Sequence, residues 1–331
     1  PVVGPLLPGL VSGAGSDTIR RSMPRLRFVD LATLAYLGGV TLWLLVFRQA
    51  CSPQWREWMA LHGILAGGIV LLASDPRPRI LRILRELYSL PLFILFYRES
   101  QMLNRGLFHE PLDPAFFRME QALFGMQPSI AFSKAVPQTA FAELVYAGYF
   151  SFYLMNIGAV VGWVLRDPAK ARRFLGTLAS VFYLCDVTFM ILPVVGPRIL
   201  DLGMLDPAVV GSLGLSDVGP MPASTQMGPF AILMRYIYAW FEGAGGAFPS
   251  SHVLVASLIL REAFRQRLRL RWGLAGLVFL LCLGTVYGRY HYVLDVLGAL
   301  VIGPPLFALV EAVQRWMEPE SGPQCDQRAL S

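Results

Sequence analysis

The chain has 331 residues, 55% of them hydrophobic and only 15% charged; a soluble domain carries about 25% charged residues, which excludes a water-soluble globule. The net charge of +6 does not point to nucleic acid, because the Lys and Arg residues sit in short loops between apolar blocks. There they read as topology signals and contacts to anionic headgroups.

Residues 1–27 form an N-terminal flank whose Pro/Gly-rich stretch, 1–19, ends before Arg20-Arg21. It is read as cytoplasmic and not as a twin-arginine export signal, since the apolar block that follows is a full span with no small-residue cleavage pattern. About 20 apolar residues cross the hydrocarbon core as a helix, and blocks on that scale predict eight spans, at 28–47, 56–74, 80–97, 139–165, 174–195, 251–265, 272–287 and 292–314. The third contains Arg82, Arg85, Glu86 and Pro91, so crossing and lying along the interface both stay open. Four loops are crowded with positive charge: Arg20/Arg21/Arg25/Arg27, Arg77/Arg79/Arg82/Arg85, Arg166/Lys170/Arg172/Arg173 and Arg265/Arg267/Arg269/Arg271. Eight spans put all four on one side, which the positive-inside rule makes cytoplasmic, with both termini. The other side receives residues 98–138, where 114–126 predicts an amphipathic surface helix, and residues 196–250, where the apolar stretch 228–241 is expected to dip into the interface. Both segments are expected to pack on the surface. The expected fold is an all-α, polytopic transmembrane bundle with interfacial helices on the extracytoplasmic side. Residues 28–316 form its one membrane domain, and 317–331 a cytoplasmic tail.

The chemistry concentrates in two histidine segments. In Ala247-Phe248-Pro249-Ser250-Ser251-His252, Pro and Ser before an apolar run mark a helix start whose exposed N–H groups and hydroxyls suit a phosphate. Gly243, Gly245 and Gly246 let the backbone approach an anion closely. In Tyr287-Gly288-Arg289-Tyr290-His291-Tyr292-Val293-Leu294-Asp295, His291 and Asp295 lie four apart on one helix face. A carboxylate that holds one imidazole nitrogen directs the other and makes it more basic, which suits a nucleophile. Asp295 sits about one turn inside a span, where an unpaired acid is costly. The other two histidines, His62 and His109, read as ordinary polar residues, and Asp186 as an acid paired within the bundle. Cys51, Cys185, Cys282 and Cys325 have neither CxxC nor metal-like spacing, so no disulfide framework is expected. No carboxylate cluster marks a metal site.

The two segments together resemble the type-2 phosphatidic acid phosphatase superfamily, whose second and third motifs each carry one histidine, the third as H-x-x-x-D. Leu123-Phe124-Gly125-Met126-Gln127-Pro128, the aromatic run Tyr146, Tyr149, Phe150 and Tyr153, and the segment Pro193–Arg198 resemble its inositol phosphorylceramide synthase-like branch. The resemblance implies a six-helix catalytic core and a lipid phosphate or phospholipid substrate. It also implies a phosphohistidine on His291, with Asp295 orienting it and His252 as acid and then base. Ser250 and Ser251 would hold the phosphate, without a metal or other cofactor. Water as acceptor would make the chain a phosphatase, an alcohol a phosphotransferase. The superfamily's first motif is absent, and Gly284 and Thr285 stand where the third motif usually opens with Ser-Arg, so the phosphate-binding cation must come from elsewhere, with Arg198 and Arg289 as the candidates; the acids Glu242 and Asp186 are weaker candidates for a place in the site. The site is expected at the outer face of a multi-pass protein, of the kind found in a bacterial inner membrane. The competing reading is a transporter or scaffold of the same fold with a decayed motif, against which the two matching halves expected of a transporter are missing.

Overall fold

The structure is a computed structural model that describes residues 26–51, 54–74, 78–240, 243 and 245–319. Arg20, Arg21, Arg25, Arg77, Glu242, Cys325 and most of both terminal segments lie outside the described residues. Among the described residues there is no strand; the only strand-like pairing is an isolated parallel bridge between Val194 and Gly246.

The helices in chain order are α1 (Phe28–Cys51), α2 (Trp55–Ala73), α3 (Arg79–Leu87), α4 (Ser89–Leu103), α5 (Asp113–Phe124), α6 (Pro128–Ala135) and α7 (Thr139–Arg166). They continue with α8 (Pro168–Ile191), α9 (Pro207–Ser212), α10 (Pro229–Trp240), α11 (Ser251–Arg265), α12 (Arg271–Tyr287) and α13 (Val293–Met317). Every expected span is helical. By length and composition α1, α2, α7, α8 and α13 are able to cross a membrane, which makes this a polytopic helical bundle. The third expected span is two helices, α3 and α4, that meet at Tyr88. The fifth begins six residues earlier than predicted, because Asp167 caps it, accepting from the N–H groups of Ala169 and Lys170, with Pro168 at the first helical position. It ends ahead of Pro193, whose ring disfavours a helical Leu192.

Helix α8 is the hub: 72% of its apolar stretch is buried, against 17% for the peripheral α2. Helices α7 and α12 approach through glycines. A Cβ on Gly148 would lie 2.4 Å from Leu280 Cβ, and one on Gly284 2.4 Å from the Val145 carbonyl oxygen, so small residues set this close crossing. Polar side chains also link helices inside the bundle. His62 contacts Thr41 Oγ1 at 2.8 Å and Glu99 Oε1 at 2.7 Å, so it has partners that its own segment does not reveal. Asp186, expected to pair within the bundle, is buried, and neither of its carboxyl oxygens has a hydrogen-bond partner among the described residues.

The described members of the basic clusters gather at one end. Arg27 and Arg172 both bind Glu86, each at 2.9 Å, and Lys170, Arg173 and Arg265 line a common cavity of about 550 Å³. The ends of α11 and α13 that carry the two histidine segments lie at the opposite end of those helices.

Candidate active site

Three chain segments are knitted together beneath a fourth. The Val194–Arg198 segment pairs with the first histidine segment through Ala247 N–H donating to the Val194 carbonyl at 2.8 Å. It pairs with the second through Arg198 N–H donating to the Arg289 carbonyl at 2.9 Å. Gly196 is needed at this crossing: its φ is +94°, and a Cβ would come within 2.3 Å of the Tyr290 carbonyl oxygen. Ser250 N–H donates to the Asp295 carbonyl at 3.2 Å, which ties the starts of α11 and α13 to each other. Ser250 is the N-cap of α11, accepting from Val253 N–H, as its position after Pro249 predicts. Over these segments lies α5, whose Phe116 packs on Phe248 and Tyr292 and whose Phe117 meets Tyr292 edge-on.

This framework brings the two histidines together. Their ring centroids are 5.8 Å apart, a span that a phosphate bridges. His291 Nδ1 lies 3.0 Å from the Ala247 carbonyl oxygen and 3.3 Å from Asp295 Oδ2. A carbonyl oxygen only accepts, so Nδ1 carries the proton, and the lone pair of the neutral ring resides on Nε2. Nε2 points to the Ser250 hydroxyl, 3.3 Å away. Asp295 is fully buried, and its Oδ2 also accepts from Tyr292 N–H at 2.8 Å. His252 Nε2 lies 3.0 Å from the Tyr149 hydroxyl, which in turn is 2.6 Å from the Tyr238 hydroxyl. Both rings are closed in, His252 6% and His291 3% exposed. The geometry is that of an imidazole with one nitrogen held and the other directed toward a hydroxyl at a helix N-terminus, beside a second imidazole. A sequence profile of the PAP2 superfamily matches residues 114–309, more than half of the chain. The chain belongs to the PAP2 superfamily. No curated protein and no solved structure matches it.

Membership in the PAP2 superfamily supports phosphatase or phosphotransferase chemistry in a membrane protein. The matched region contains both histidine segments and all helices from α6 to α12, whereas α1–α4 lie outside it. Of the two arginines singled out in the sequence, Arg198 stacks over the Tyr238 ring, 4.8 Å from its centroid, and donates to the Gly243 carbonyl. Arg289 is fully buried, with φ +57°, and turns to the 196–228 segment, donating to Asp201 Oδ1 at 3.0 Å and to the Gly219 carbonyl. Arg289 is thus engaged by that segment, and Arg198 is the cation on the aromatic wall of the site. Ser251 is buried at the first position of α11.

Several neighbours of the site are not singled out as site residues in the sequence, where Tyr149 enters only within the aromatic run that carries the resemblance. Tyr238 stacks on Tyr290 with centroids 3.8 Å apart and planes 9° from parallel, and Tyr149 joins this stack at 5.2 Å from Tyr290. Nothing local distinguishes these tyrosines from the interfacial aromatics that any membrane protein carries. Asp113 and Glu120 are different. They fall at helical spacing on the same face of α5 as Phe116 and Phe117, and an acid in an otherwise apolar stripe is a readable sign of a buried partner. Burial drives both acids up, Asp113 to about 7 and Glu120 to about 7, against the hydrogen bonds they accept.

Proposed function

We propose that this protein transfers the phosphoryl or substituted phosphoryl group of a lipid through a phosphohistidine on His291, at the extracytoplasmic membrane face. The observation that carries this reading is the pair of acceptors on His291 Nδ1, which leaves the Nε2 lone pair directed at the ground between Ser250 and His252. In the first step Nε2 attacks phosphorus; an N–P bond forms, the P–O bond to the leaving alcohol breaks, and His252 gives that oxygen its proton. In the second step His252 takes the proton of the incoming hydroxyl, the new O–P bond forms, and the N–P bond breaks. Asp295 orients His291 and stabilises the positive charge that its ring acquires. The Ser250 hydroxyl, Ser251, the first N–H groups of α11 and Arg198 face the oxygens on which negative charge is held. Among the described residues no three His, Cys, Asp or Glu side chains are grouped as metal ligands, and the proposed route needs none.

Two features support transfer to an alcohol, as in the inositol phosphorylceramide synthase-like branch, over hydrolysis. The resemblances at 123–128 and 193–198 point to that branch, and the near-complete burial of both histidines shields a phosphohistidine from water until an acceptor enters. The test is mass spectrometry of products from purified protein given a panel of phospholipids, prenyl phosphates and sphingolipids, with and without an alcohol such as inositol or a diacylglycerol, in excess chelator. The expected result is a product that contains the alcohol, lost completely in His291→Ala at unchanged folding. Turnover by the His291→Ala variant would remove the proposed nucleophile, and strict dependence on a divalent cation would remove the metal-free route.

A further inference from the structure

The acids of α5 are tied to the catalytic segments and to little else. Glu120 Oε1 accepts from the N–H groups of Val293 at 2.6 Å and Leu294 at 3.4 Å. It therefore caps the helix that carries Asp295 from another element, since Tyr292, the residue at the cap position, leaves those two donors to it. Asp113 accepts from Val195 N–H at 2.9 Å and Gly196 N–H at 2.8 Å, the turn that leads to Arg198, and from the Tyr292 hydroxyl at 3.0 Å. Both carboxyls are fully buried. The Tyr292 ring is enclosed by Phe116 and Phe117, and Tyr292 directly follows His291. An amphipathic helix that merely covered a surface would need apolar residues at these positions. Two buried acids there, Glu120 holding two backbone N–H groups through Oε1 and Asp113 holding two backbone N–H groups and the Tyr292 hydroxyl, all within four residues of His291 or Arg198, are costly unless they hold something in place.

We propose that α5 is a clamp that sets the position of the nucleophile, with Glu120 and Asp113 as positioning residues. Glu120 fixes the first turn of α13, and through it the Asp295 carboxylate against His291 Nδ1. Asp113 fixes Tyr292 and the Arg198 turn relative to one another, so the cation and the nucleophile keep a common register. This deepens the phosphoryl-transfer reading and rests on it for its catalytic consequence, but the clamp itself is tested without any substrate.

The experiment compares Glu120→Ala, Glu120→Gln, Asp113→Ala and Asp113→Asn in the full-length protein. Hydrogen–deuterium exchange of the folded variants should rise at least tenfold over 292–295 in Glu120→Ala and over 195–196 in Asp113→Ala, with α7, α8 and α12 unchanged. The amide variants keep a carbonyl acceptor and should retain most of the protection. On a substrate found in the lipid panel, kcat should fall about 100-fold in Glu120→Ala and less than tenfold in Glu120→Gln, with KM within twofold of the parent. Parent-like exchange in both Ala variants would sink the clamp. So would loosened exchange with an unchanged kcat, because the residues would then serve stability alone. If the parent protein turns over no substrate, the functional reading fails, and the exchange pattern still decides whether α5 holds the His291 segment. Where an Ala variant does not fold, the amide variant carries the same comparison, with parent-like protection at a kcat lowered more than tenfold as the overturning result.

Discussion

Among single residues, the most consequential is Asp295. It accepts from His291 Nδ1–H and from Tyr292 N–H with the same oxygen, so its charge and its geometry are separable. Asp295→Asn retains an oxygen that can hold the Tyr292 N–H, while removing the charge that, in the proposed route, stabilises the ring once its Nε2 is bonded to phosphorus. The Ala247 carbonyl continues to fix the tautomer. The expected outcome is a kcat lowered by about 10³-fold at near-parent thermal stability, measured by single-turnover assay beside a melting curve. Tyr149 is the corresponding test for the second imidazole. Its hydroxyl is the contact that orients His252 Nε2, and the loss of one such hydrogen bond is worth about 1–1.5 kcal/mol, or roughly tenfold in rate. Tyr149→Phe should reduce kcat by that amount and shift the limb of the pH–rate profile that reports His252. An unchanged profile would assign Tyr149 to packing alone.

At the level of elements, α5 makes the protein's stability depend on pH. Burial holds the Asp113 carboxyl at about 7, against an ordinary 3.8, and Glu120 at about 7, against 4.5. The groups facing them are the Tyr292 hydroxyl and the Asp295 carboxylate, with no opposite charge to offset the burial. Acids raised in the folded state favour folding fully below their unfolded values, and that contribution disappears as pH rises through the folded ones. The melting temperature should therefore decline from about pH 4 to about pH 7, with roughly 4 kcal/mol at stake for Asp113 alone. Asp113→Asn with Glu120→Gln should flatten the slope over that window; an equally steep slope would place the titration elsewhere. The α7–α12 crossing gives a test of another kind. Gly284→Ala puts a methyl 2.4 Å from the Val145 carbonyl, so the helices must separate, at a cost of about 1–3 kcal/mol in stability. These elements also mark what the sequence reveals. Apolar length gave helices over the expected spans, five of them able to cross a membrane, the Pro-Ser-Ser start gave the Ser250 cap, and spacing of four gave the His291–Asp295 pair, because those are local, periodic quantities. The Arg289–Asp201 pair, the tyrosine stack and the docking of α5 on Tyr292 join residues tens to hundreds of positions apart, and no period in the chain encodes them.

At the scale of the whole molecule, the issue is which end faces which side of the membrane. Charge alone predicts that the four Arg/Lys-rich loops share one side, and the fold brings their described members to one end. Arg27, Glu86 and Arg172 join the first three clusters, and Lys170, Arg173 and Arg265 join the third to the fourth around one cavity. Helices α11 and α13 carry this basic end at their C-terminal turns and the histidine site at their N-terminal ones, so if α13, which is able to cross, does so, the two ends are expected on opposite faces whatever the orientation. A cationic face is held inward by the biosynthetic bias and by anionic lipid, at about 1 kcal/mol for each Lys or Arg near such a surface, and the basic end carries many more of them than the histidine end. The histidine site should therefore lie outside the cytoplasm. With the native cysteines replaced, Asp217→Cys on the 196–228 segment should react in intact cells with a membrane-impermeant maleimide, and Leu270→Cys between α11 and α12 only after the membrane is permeabilised. The reverse pattern would turn the protein over in its membrane and move the proposed lipid substrate to the cytoplasmic leaflet, while leaving the chemistry proposed at His291 unchanged. Labelling of both positions in intact cells would contradict the odd number of crossings expected between them, and with it the expected span over 251–265.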